Sequence, residues 1–156
     1  MRRWLMGLAM LGALGCTDMP PGGAACDDPT LEVCRVFELV NEERADAGLA
    51  PYAWNPELAL AAQRHAEDMV DQGYFDHQSL DGRSFGDRAF EAGYDGSPRG
   101  ENIAAGQRSA EQVMDSWMSS GGHRANILSE GSNEIGVGFE ANHWVQVFGT
   151  GDRADE

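Results

Sequence analysis

The sequence predicts a single α+β domain in which helices come first and a β-hairpin closes the chain. Apolar residues recur at helical spacing in residues 31–47 and 56–72. They alternate with glycines and polar residues in residues 135–139 and 144–148, with a turn predicted at residues 141–143. A run of helices followed by strands is typical of the α+β class. At 156 residues the chain can bury a core large enough to fold alone.

Capping residues predict where the first two helices begin and end. Gly48 follows the first periodic run and is the expected C-terminal stop of that helix. Asn55 is the predicted N-cap of the second helix, because Pro56 then occupies the first helical position, where proline is favoured. Gly73 ends this second helix.

Two shorter helices are predicted downstream. Residues 83–92 form the third, which Gly93 closes. Ser109, with Gln112 three residues later, is the signature of a capping box and opens the fourth helix. Trp117 lies on the inner stripe of that helix, so we expect it to be a packing residue.

The first 15 residues predict an export signal. Two arginines precede an apolar segment, residues 4–14, which is too short to span a bilayer as a mature helix. Small residues before Cys16 resemble a bacterial lipoprotein signal, which predicts cleavage before Cys16 and acylation of its thiol. The alternative is an ordinary secretory signal that is cut near residues 24–25. Either interpretation exports the protein, anchored to the cell envelope in the first case and soluble in the second.

The remaining chain divides into three predicted parts. Residues 16–30 form a tether, because they contain Pro-Pro-Gly-Gly and show no apolar period. Residues 31–150 form the folded domain, and residues 151–156 form a short tail. No internal repeat and no second domain is predicted.

The cysteines predict one disulfide. Acylation of Cys16 leaves Cys26 and Cys34, and an even pair in an exported chain favours a bridge. For so short a loop, the chain-entropy model gives about 2.5 kcal/mol of stabilisation. Two reduced thiols are the alternative, and a metal site built from these two residues alone lacks ligands.

The charge of the chain excludes several classes of function. The formal net charge is −15, and all 11 basic residues are arginine. A lysine nucleophile, a Schiff base and a P-loop lysine are therefore excluded. An acidic chain without basic clusters is not expected to bind nucleic acid.

Two histidines and a glutamate stand in short, loop-like contexts that contain glycine or serine, away from the apolar stripes. His77 lies in Tyr-Phe-Asp-His-Gln-Ser, Glu101 in Gly-Glu-Asn-Ile-Ala, and His123 after Ser-Ser-Gly-Gly. Two neutral imidazoles and a carboxylate are a common ligand set for zinc, with open positions left for water. The same three groups also suit acid–base chemistry. Spacing does not separate the two, since only the fold can gather them.

These motifs resemble those of the CAP superfamily, which contains the cysteine-rich secretory, antigen-five and pathogenesis-related proteins, in its compact bacterial form. Asn-Glu-Glu-Arg at residues 41–44 and Gly-Leu-Ala-Pro-Tyr at residues 48–52 extend the resemblance, which runs in order over residues 35–149. The resemblance implies a three-layer α-β-α sandwich, the CAP or SCP fold.

The resemblance also implies a central cleft lined by four residues. Three match the family pattern, but the second glutamate of that pattern is replaced by serine, and a site with one carboxylate fewer should hold a dication less tightly. We expect Asn102 to be a structural residue and a helix dipole to lower the pKa of His123. The implied cleft residues are His77, Glu101, Ser120 and His123.

The other two histidines are predicted to be structural. His65 lies on the apolar stripe of the second helix and is expected to be a packed core residue. The Met at position 69 rules out His-Glu-x-x-His, and no zinc-deaminase cysteines follow. His143 lies in the predicted hairpin turn and is expected to be exposed.

Three hypotheses for function follow. The first is an exported binding module whose cleft takes a divalent metal, zinc above all, or a small polar ligand. The second is a metal-dependent hydrolase acting on peptide or cell-envelope material, and the third is a lipid or sterol carrier. We expect a monomer that binds a small ligand or an envelope component and touches the membrane only through a lipid anchor.

Overall fold

The computed structural model describes Cys26 and residues 31–152. The predicted signal segment, Cys16 and most of the predicted tether lie outside the described residues. No helix of the described part is long and apolar enough to span a membrane. Its helices and strands, in chain order, are α1 Glu32–Asp46, β1 Ala53–Trp54, α2 Pro56–Gln72, α3 Phe85–Glu91, β2 Ser97–Ala105, α4 Ala110–Met118, α5 Gly121–Ile127, β3 Glu134–Glu140 and β4 His143–Thr150.

The strands form one mixed sheet in the order β1-β3-β4-β2. The short β1 pairs with β3 in parallel, whereas β3 and β2 flank β4 in antiparallel fashion. Ala141 and Asn142 make the turn between β3 and β4 with φ of 42° and 63°. These left-handed conformations at two consecutive residues are the ones that a tight two-residue hairpin requires. The predicted hairpin is confirmed, although His143 already belongs to β4.

Alternation along β4 divides the molecule into two hydrophobic cores. Trp144 and Phe148 face one side of the sheet and pack against α1, α4 and α5. Val145 and Val147 face the other side and pack against α2 and α3. Because side chains on a strand point to opposite faces in turn, one strand can serve both layers of helices. The α+β class and the three-layer α-β-α sandwich are confirmed.

Two glycines let α2 lie directly on β3. Ile135 and Val137 point into the core shared with α1 and α4, so the residues between them point toward α2. A Cβ atom on Gly136 would lie 2.0 Å from the Ala59 backbone nitrogen, and one on Gly138 would lie 2.3 Å from the Gln63 backbone nitrogen. Any side chain at either position would push the helix off the sheet.

We expect Gly136→Ala to destabilise the fold by about 1–3 kcal/mol, which is the usual cost of overpacking. The added methyl meets helix backbone, which cannot rotate away as a side chain can. Urea unfolding followed by circular dichroism measures the loss. Gly122→Ala is the matched control, because no atom lies within 4 Å of a Cβ placed there, and its midpoint should not fall. Equal midpoints for Gly136→Ala and wild type would contradict this account of the α2–β3 contact.

The predicted helix ends are confirmed for α1 and α2. The Asn55 side chain accepts hydrogen bonds from the backbone nitrogens of Glu57 and Leu58, at 3.0 and 2.9 Å, and Pro56 occupies the first helical position. Gly48 and Gly73 have φ of 74° and 68°, the left-handed conformation that ends a helix and that glycine adopts without strain.

The two shorter helices differ in detail from the prediction. The third begins at Phe85 instead of residue 83, because Ser84 and Asp87 form the capping box that fixes its start. At α4, the Ser109 hydroxyl accepts from the backbone nitrogen of Gln112, as expected. The Gln112 side chain, however, accepts from the backbone nitrogen of Arg108, one residue before the capping serine.

The strand β2 is the main correction to the predicted fold. The motif around Glu101 predicts a loop, but Glu101 lies in the middle of a nine-residue strand that pairs with β4. Four consecutive residues of β2, from Glu101 to Ala104, are buried. A strand covered on both faces usually shows a continuous apolar run instead of alternating apolar and polar residues. Two of these four residues are polar, so the sequence shows neither pattern.

The predicted disulfide is confirmed. Cys26 and Cys34 are bonded, with their Cα atoms 5.1 Å apart. Cys34 is buried on α1, so the bond fastens the segment before the domain to its first helix.

Arg44 ties α1 to the far end of α5 and thereby helps to position the candidate site. Its side chain is buried, and its guanidinium donates to the carbonyl oxygens of Ala50, Ile127 and Ser129 at 2.8–2.9 Å. The guanidinium also lies over the Tyr52 ring, 3.6 Å from the ring centre. Ile127 is the last residue of α5, so this arginine satisfies helix-end carbonyls that would otherwise lack partners.

Candidate functional site

The Glu101 carboxylate is the centre of the candidate site. Strand β2 buries the residue, leaving 6% of its surface exposed. One carboxylate oxygen, Oε2, accepts from Arg88 Nη2 at 2.6 Å, and the other, Oε1, lies 2.8 Å from His77 Nδ1. A buried carboxylate requires such partners, because its desolvation is costly unless it is paired and hydrogen-bonded.

Arg88, on α3, is a site residue that sequence reasoning missed. It is 5% exposed, and besides Glu101 its Nη1 donates to His77 O, Ser79 Oγ and Arg83 O, each at 3.1 Å. One guanidinium thus fixes both the carboxylate and the loop that carries His77. The signal that could have found it is indirect: a glutamate placed in the interior demands a cation, and α3 has one arginine within its bounds.

His77 lies in the loop between α2 and α3 and remains open to solvent, with 56% of its side chain exposed. Because Nδ1 is occupied by Glu101, the orientation of the ring is set and Nε2 is the nitrogen available to a ligand. The hydrogen bond to Glu101, which outweighs the effect of burial, raises the pKa of His77 above its ordinary value.

Because the pKa of His77 is raised, its contribution to the stability of the fold depends on pH. A histidine whose folded-state pKa is raised stabilises the fold fully below its unfolded pKa of about 6.5. That contribution is lost as the pH rises through the higher folded-state pKa. The His77–Glu101 bond therefore contributes most in mildly acidic solution.

His123 is the third residue of α5 and is half-buried. Burial is the main cause that lowers its pKa, and the charge of nearby His77 adds to it. The predicted lowering of the His123 pKa is therefore confirmed. Its causes are burial and the neighbouring charge of His77, instead of the predicted helix dipole. His123 is thus neutral under conditions in which His77 is still protonated.

An amide cluster holds α5 against β2. Asn102 Nδ2 donates to the backbone oxygen of His123 at 3.1 Å and to Gln146 Oε1 at 3.0 Å. Asn126 Nδ2 donates to Asn102 Oδ1 at 2.9 Å and to the backbone oxygen of Glu101 at 3.3 Å. The predicted structural role of Asn102 is confirmed, and the cluster fixes His123 relative to Glu101.

Ser120 occupies the N-cap position of α5, and its side chain makes no capping hydrogen bond. Within the described residues it makes no side-chain bond to His77, Glu101 or His123. Ser120 directly precedes the helix that carries His123 and adds no charge to the candidate site.

The candidate site has two imidazoles that could bind a metal, those of His77 and His123. Within residues 31–152 and Cys26, no three histidine, cysteine, aspartate or glutamate side chains are grouped as a metal site. Both oxygens of Glu101 are engaged by Arg88 and His77. A metal bound here would thus have Glu101 behind one histidine, in the orienting position that carboxylates often take at metal centres. The three-ligand set of His77, Glu101 and His123 stays a prediction.

The remaining histidines and the tryptophans behave largely as predicted. His65 is fully buried, its Nε2 lies 2.9 Å from the Asp76 carbonyl oxygen, and burial lowers its pKa. His143 is half-buried instead of exposed, because its ring lies edge-on to Phe75 with ring centres 6.3 Å apart. Trp117 and Trp144 are packed in the core, as expected for the first.

Solved structures show the same fold. An extracellular protein containing an SCP domain from Bacillus anthracis str. Ames superimposes with a TM-score of 0.75 at 32% identity, over 77% of this chain and 40% of that one. An outer surface protein from Borrelia burgdorferi superimposes with a TM-score of 0.69 over 80% of this chain and 96% of that one. The second match is 20% identical and supports the fold alone.

Two curated relatives come from Bacillus subtilis (strain 168). The uncharacterized protein YkwD is 41% identical over 116 residues, which are 73% of this chain and 45% of YkwD. The uncharacterized membrane protein YlbC is 33% identical over 114 residues, which are 73% of this chain and 33% of YlbC. The chain therefore spans less than half the length of each. The model of the cysteine-rich secretory protein family, CAP, matches residues 37–148, and with the shared fold and motifs this places the chain in the CAP family.

Proposed function

We propose that this chain is an exported binding module whose cleft, between His77 and His123, takes a small polar ligand or a divalent metal. The observation that carries the proposal is the linear arrangement Arg88–Glu101–His77, in which a buried ion pair holds a solvent-exposed imidazole. The open Nε2 of His77 is then the contact atom, and His123 provides the second imidazole.

Stability alone is a poor reason for this arrangement. A buried ion pair recovers its desolvation cost only when the geometry is good, and apolar residues in its place often stabilise a fold equally well. Here the ion pair orients one exposed side chain, that of His77, and fixes the loop that carries it. At metal sites and acid–base sites, a carboxylate or carbonyl often hydrogen-bonds the histidine ring nitrogen that does not contact the metal or substrate.

The family relationship and the disulfide support export. One matched structure is of an extracellular protein, and the Cys26–Cys34 bond suits an oxidising compartment. Acylation of Cys16 is the finer part of the same proposal.

Binding is placed ahead of hydrolysis. A carboxylate–imidazole pair is two thirds of a nucleophilic triad, which a hydroxyl or thiol within reach of the imidazole would complete. In the part of the chain that the structure describes, no such group is hydrogen-bonded to His77.

Zinc is the probe that tests the cleft. Calorimetric titration of the wild type at neutral pH should show binding, and His77→Ala and His123→Ala should each remove most of the affinity. His143→Ala is the matched control, since His143 lies beside Phe75 in the hairpin and makes no contact with Glu101. Undetectable zinc binding in the wild type, or equal loss in the control, would overturn the metal part of the proposal.

The role of Glu101 as a positioning residue has its own test. Zinc competes with protons for His77, so wild-type affinity should fall as the pH drops through the raised pKa of this residue. Glu101→Gln removes the main cause of that rise, and the fall should move to lower pH. Proton NMR of the imidazole follows the His77 pKa directly in the same variant. An unchanged His77 titration in a folded Glu101→Gln protein would contradict the assigned role.

A further inference from the structure

His65 is a buried histidine of α2 whose hydrogen bond reaches the loop that carries His77. It is 0% exposed, and its Nε2 lies 2.9 Å from the backbone oxygen of Asp76, the residue before His77. A carbonyl oxygen only accepts hydrogen bonds, so Nε2 carries the ring proton and donates it. Burial lowers the pKa of His65, which keeps the ring neutral.

Packing alone is a poor reason for a histidine at this position. The other ring nitrogen, Nδ1, is buried and has no hydrogen-bond partner among the described residues. A buried polar atom without a partner costs free energy that an apolar side chain of similar size would not. The residues beside His65 on the inner face of α2 are apolar, namely Ala61, Ala62 and Met69. What the imidazole provides, and these side chains cannot, is the donor to Asp76.

His65 and Arg88 together hold the two peptide groups that flank the His77 Cα. Arg88 Nη1 donates to the backbone oxygen of His77 at 3.1 Å, whereas His65 donates to that of Asp76. Each carbonyl belongs to a planar peptide group, so fixing both oxygens fixes the backbone rotation on either side of the His77 Cα. Those rotations set the direction in which the imidazole leaves the backbone. One donor comes from α2 and the other from α3.

The hydrogen bonds within the loop itself are exposed. The Gln78 backbone nitrogen donates to Asp76 Oδ1 at 2.8 Å, and Gln78 Nε2 donates to the backbone oxygen of Gly82 at 3.0 Å. Water competes for exposed donors and acceptors, so these bonds constrain the loop less than buried ones do. The buried donors from the two helices therefore supply the firmer constraint.

We propose that His65 is a positioning residue for the candidate site: its Nε2–H holds the Asp76 carbonyl and thereby aims the His77 imidazole. The 2.8 Å contact between His77 Nδ1 and Glu101 then depends on a donor from α2 as well as on the ion pair between Glu101 and Arg88. This inference rests on the proposed function only in treating Nε2 of His77 as the atom that contacts a ligand.

Two substitutions of His65 separate the donor from the packing. Glutamine carries an amide nitrogen as many bonds from the backbone as histidine Nε2, whereas methionine has a similar length and no donor. Proton NMR of the imidazole follows the His77 pKa in the folded full chain without any ligand. His65→Gln should keep the raised pKa. His65→Met should lower it toward the ordinary value of about 6.5, because the contact with Glu101 loosens.

Leu58→Val is the matched control, because Leu58 is fully buried on the same helix and lies about two turns before His65. It removes one buried methylene, so the urea unfolding midpoint should fall while the raised His77 pKa stays. His65→Asn takes the place of His65→Met if the latter does not fold. Its amide is one bond closer to the backbone and falls short of Asp76, so the same lowering of the His77 pKa is expected.

An unchanged His77 pKa in folded His65→Met or His65→Asn would overturn the proposal. Equal shifts in His65→Gln and His65→Met, or a shift in Leu58→Val, would also overturn it, because lost packing would then be the cause. The measurement needs no metal. A wild type that binds no zinc therefore overturns the metal part of the proposed function and leaves this inference standing.

Discussion

Replacement of Arg88 by alanine is expected to lower the free energy of unfolding by about 3–5 kcal/mol, the usual effect of leaving one buried charge without its partner. Arg88 is the cation that faces Glu101, and both side chains are almost completely buried. The same change also frees the loop at His77, Ser79 and Arg83, whose acceptors lose their donor. Urea unfolding measured by circular dichroism gives the loss.

A double variant separates the orphaned charge from lost packing. Arg88→Ala with Glu101→Gln removes both charges, so it should be more stable than Arg88→Ala alone. Arg35→Ala is the surface control. Arg35 contacts three carboxylates, those of Glu38, Glu42 and Glu111, yet 36% of its side chain is exposed. Its loss should therefore leave the unfolding midpoint almost unchanged. A double variant less stable than Arg88→Ala would show that the cost lies in packing.

Trp117→Ala is expected to cost about 3–5 kcal/mol, because it leaves a cavity in the core between α4 and the sheet. Trp117 is 1% exposed and belongs to the core that contains Trp144 and Phe148. Its ring nitrogen also donates to the Ile103 carbonyl oxygen at 3.3 Å. Thermal and urea unfolding should agree on the loss.

The matched control for this change is Trp54→Ala. Trp54 lies in the two-residue strand β1, where it is only half-buried against Phe37. The loss should therefore be clearly smaller than for Trp117→Ala. Similar losses for the two variants would mean that Trp117 is not the central packing residue of its core.

The sequence was most informative where local physics decides the structure. Asn55 before Pro56 fixes the start of α2, and the left-handed glycines 48 and 73 fix helix ends, because each effect involves only neighbouring residues. The β3–β4 hairpin could be predicted equally well, because its alternating residues and its turn both lie within one short segment.

Long-range pairing is what local patterns could not show. The strand β2 pairs with residues of β4 that lie 38 to 53 positions later, and its buried residues Glu101 and Asn102 are polar. Their burial is stabilised by Arg88, Asn126 and Gln146, which come from other elements. Within its own short segment, β2 shows two polar residues beside a glycine, a pattern that is typical of a loop.

The candidate site was predicted in part for the same reason. The motifs named His77 and Glu101, and the structure brings these two residues together at 2.8 Å. Arg88 escaped notice because nothing near it in the sequence distinguishes it from a surface arginine such as Arg83. Its importance arises only when α3 packs beside β2 and the guanidinium meets a buried carboxylate.

The bond between Cys26 and Cys34 also sets how a pulling force enters the domain. Tension arriving through the segment before Cys26 passes across the sulfur bridge to Cys34, in the first turn of α1. The residues between the two cysteines then carry no load. After reduction, the six residue steps from Cys26 to Glu32 come under tension and can span up to about 20 Å, at roughly 3.3–3.6 Å per residue, whereas the bridge holds the two cysteine Cα atoms 5.1 Å apart. The redox state of one bond thus sets how far Cys26 can be drawn away from the domain.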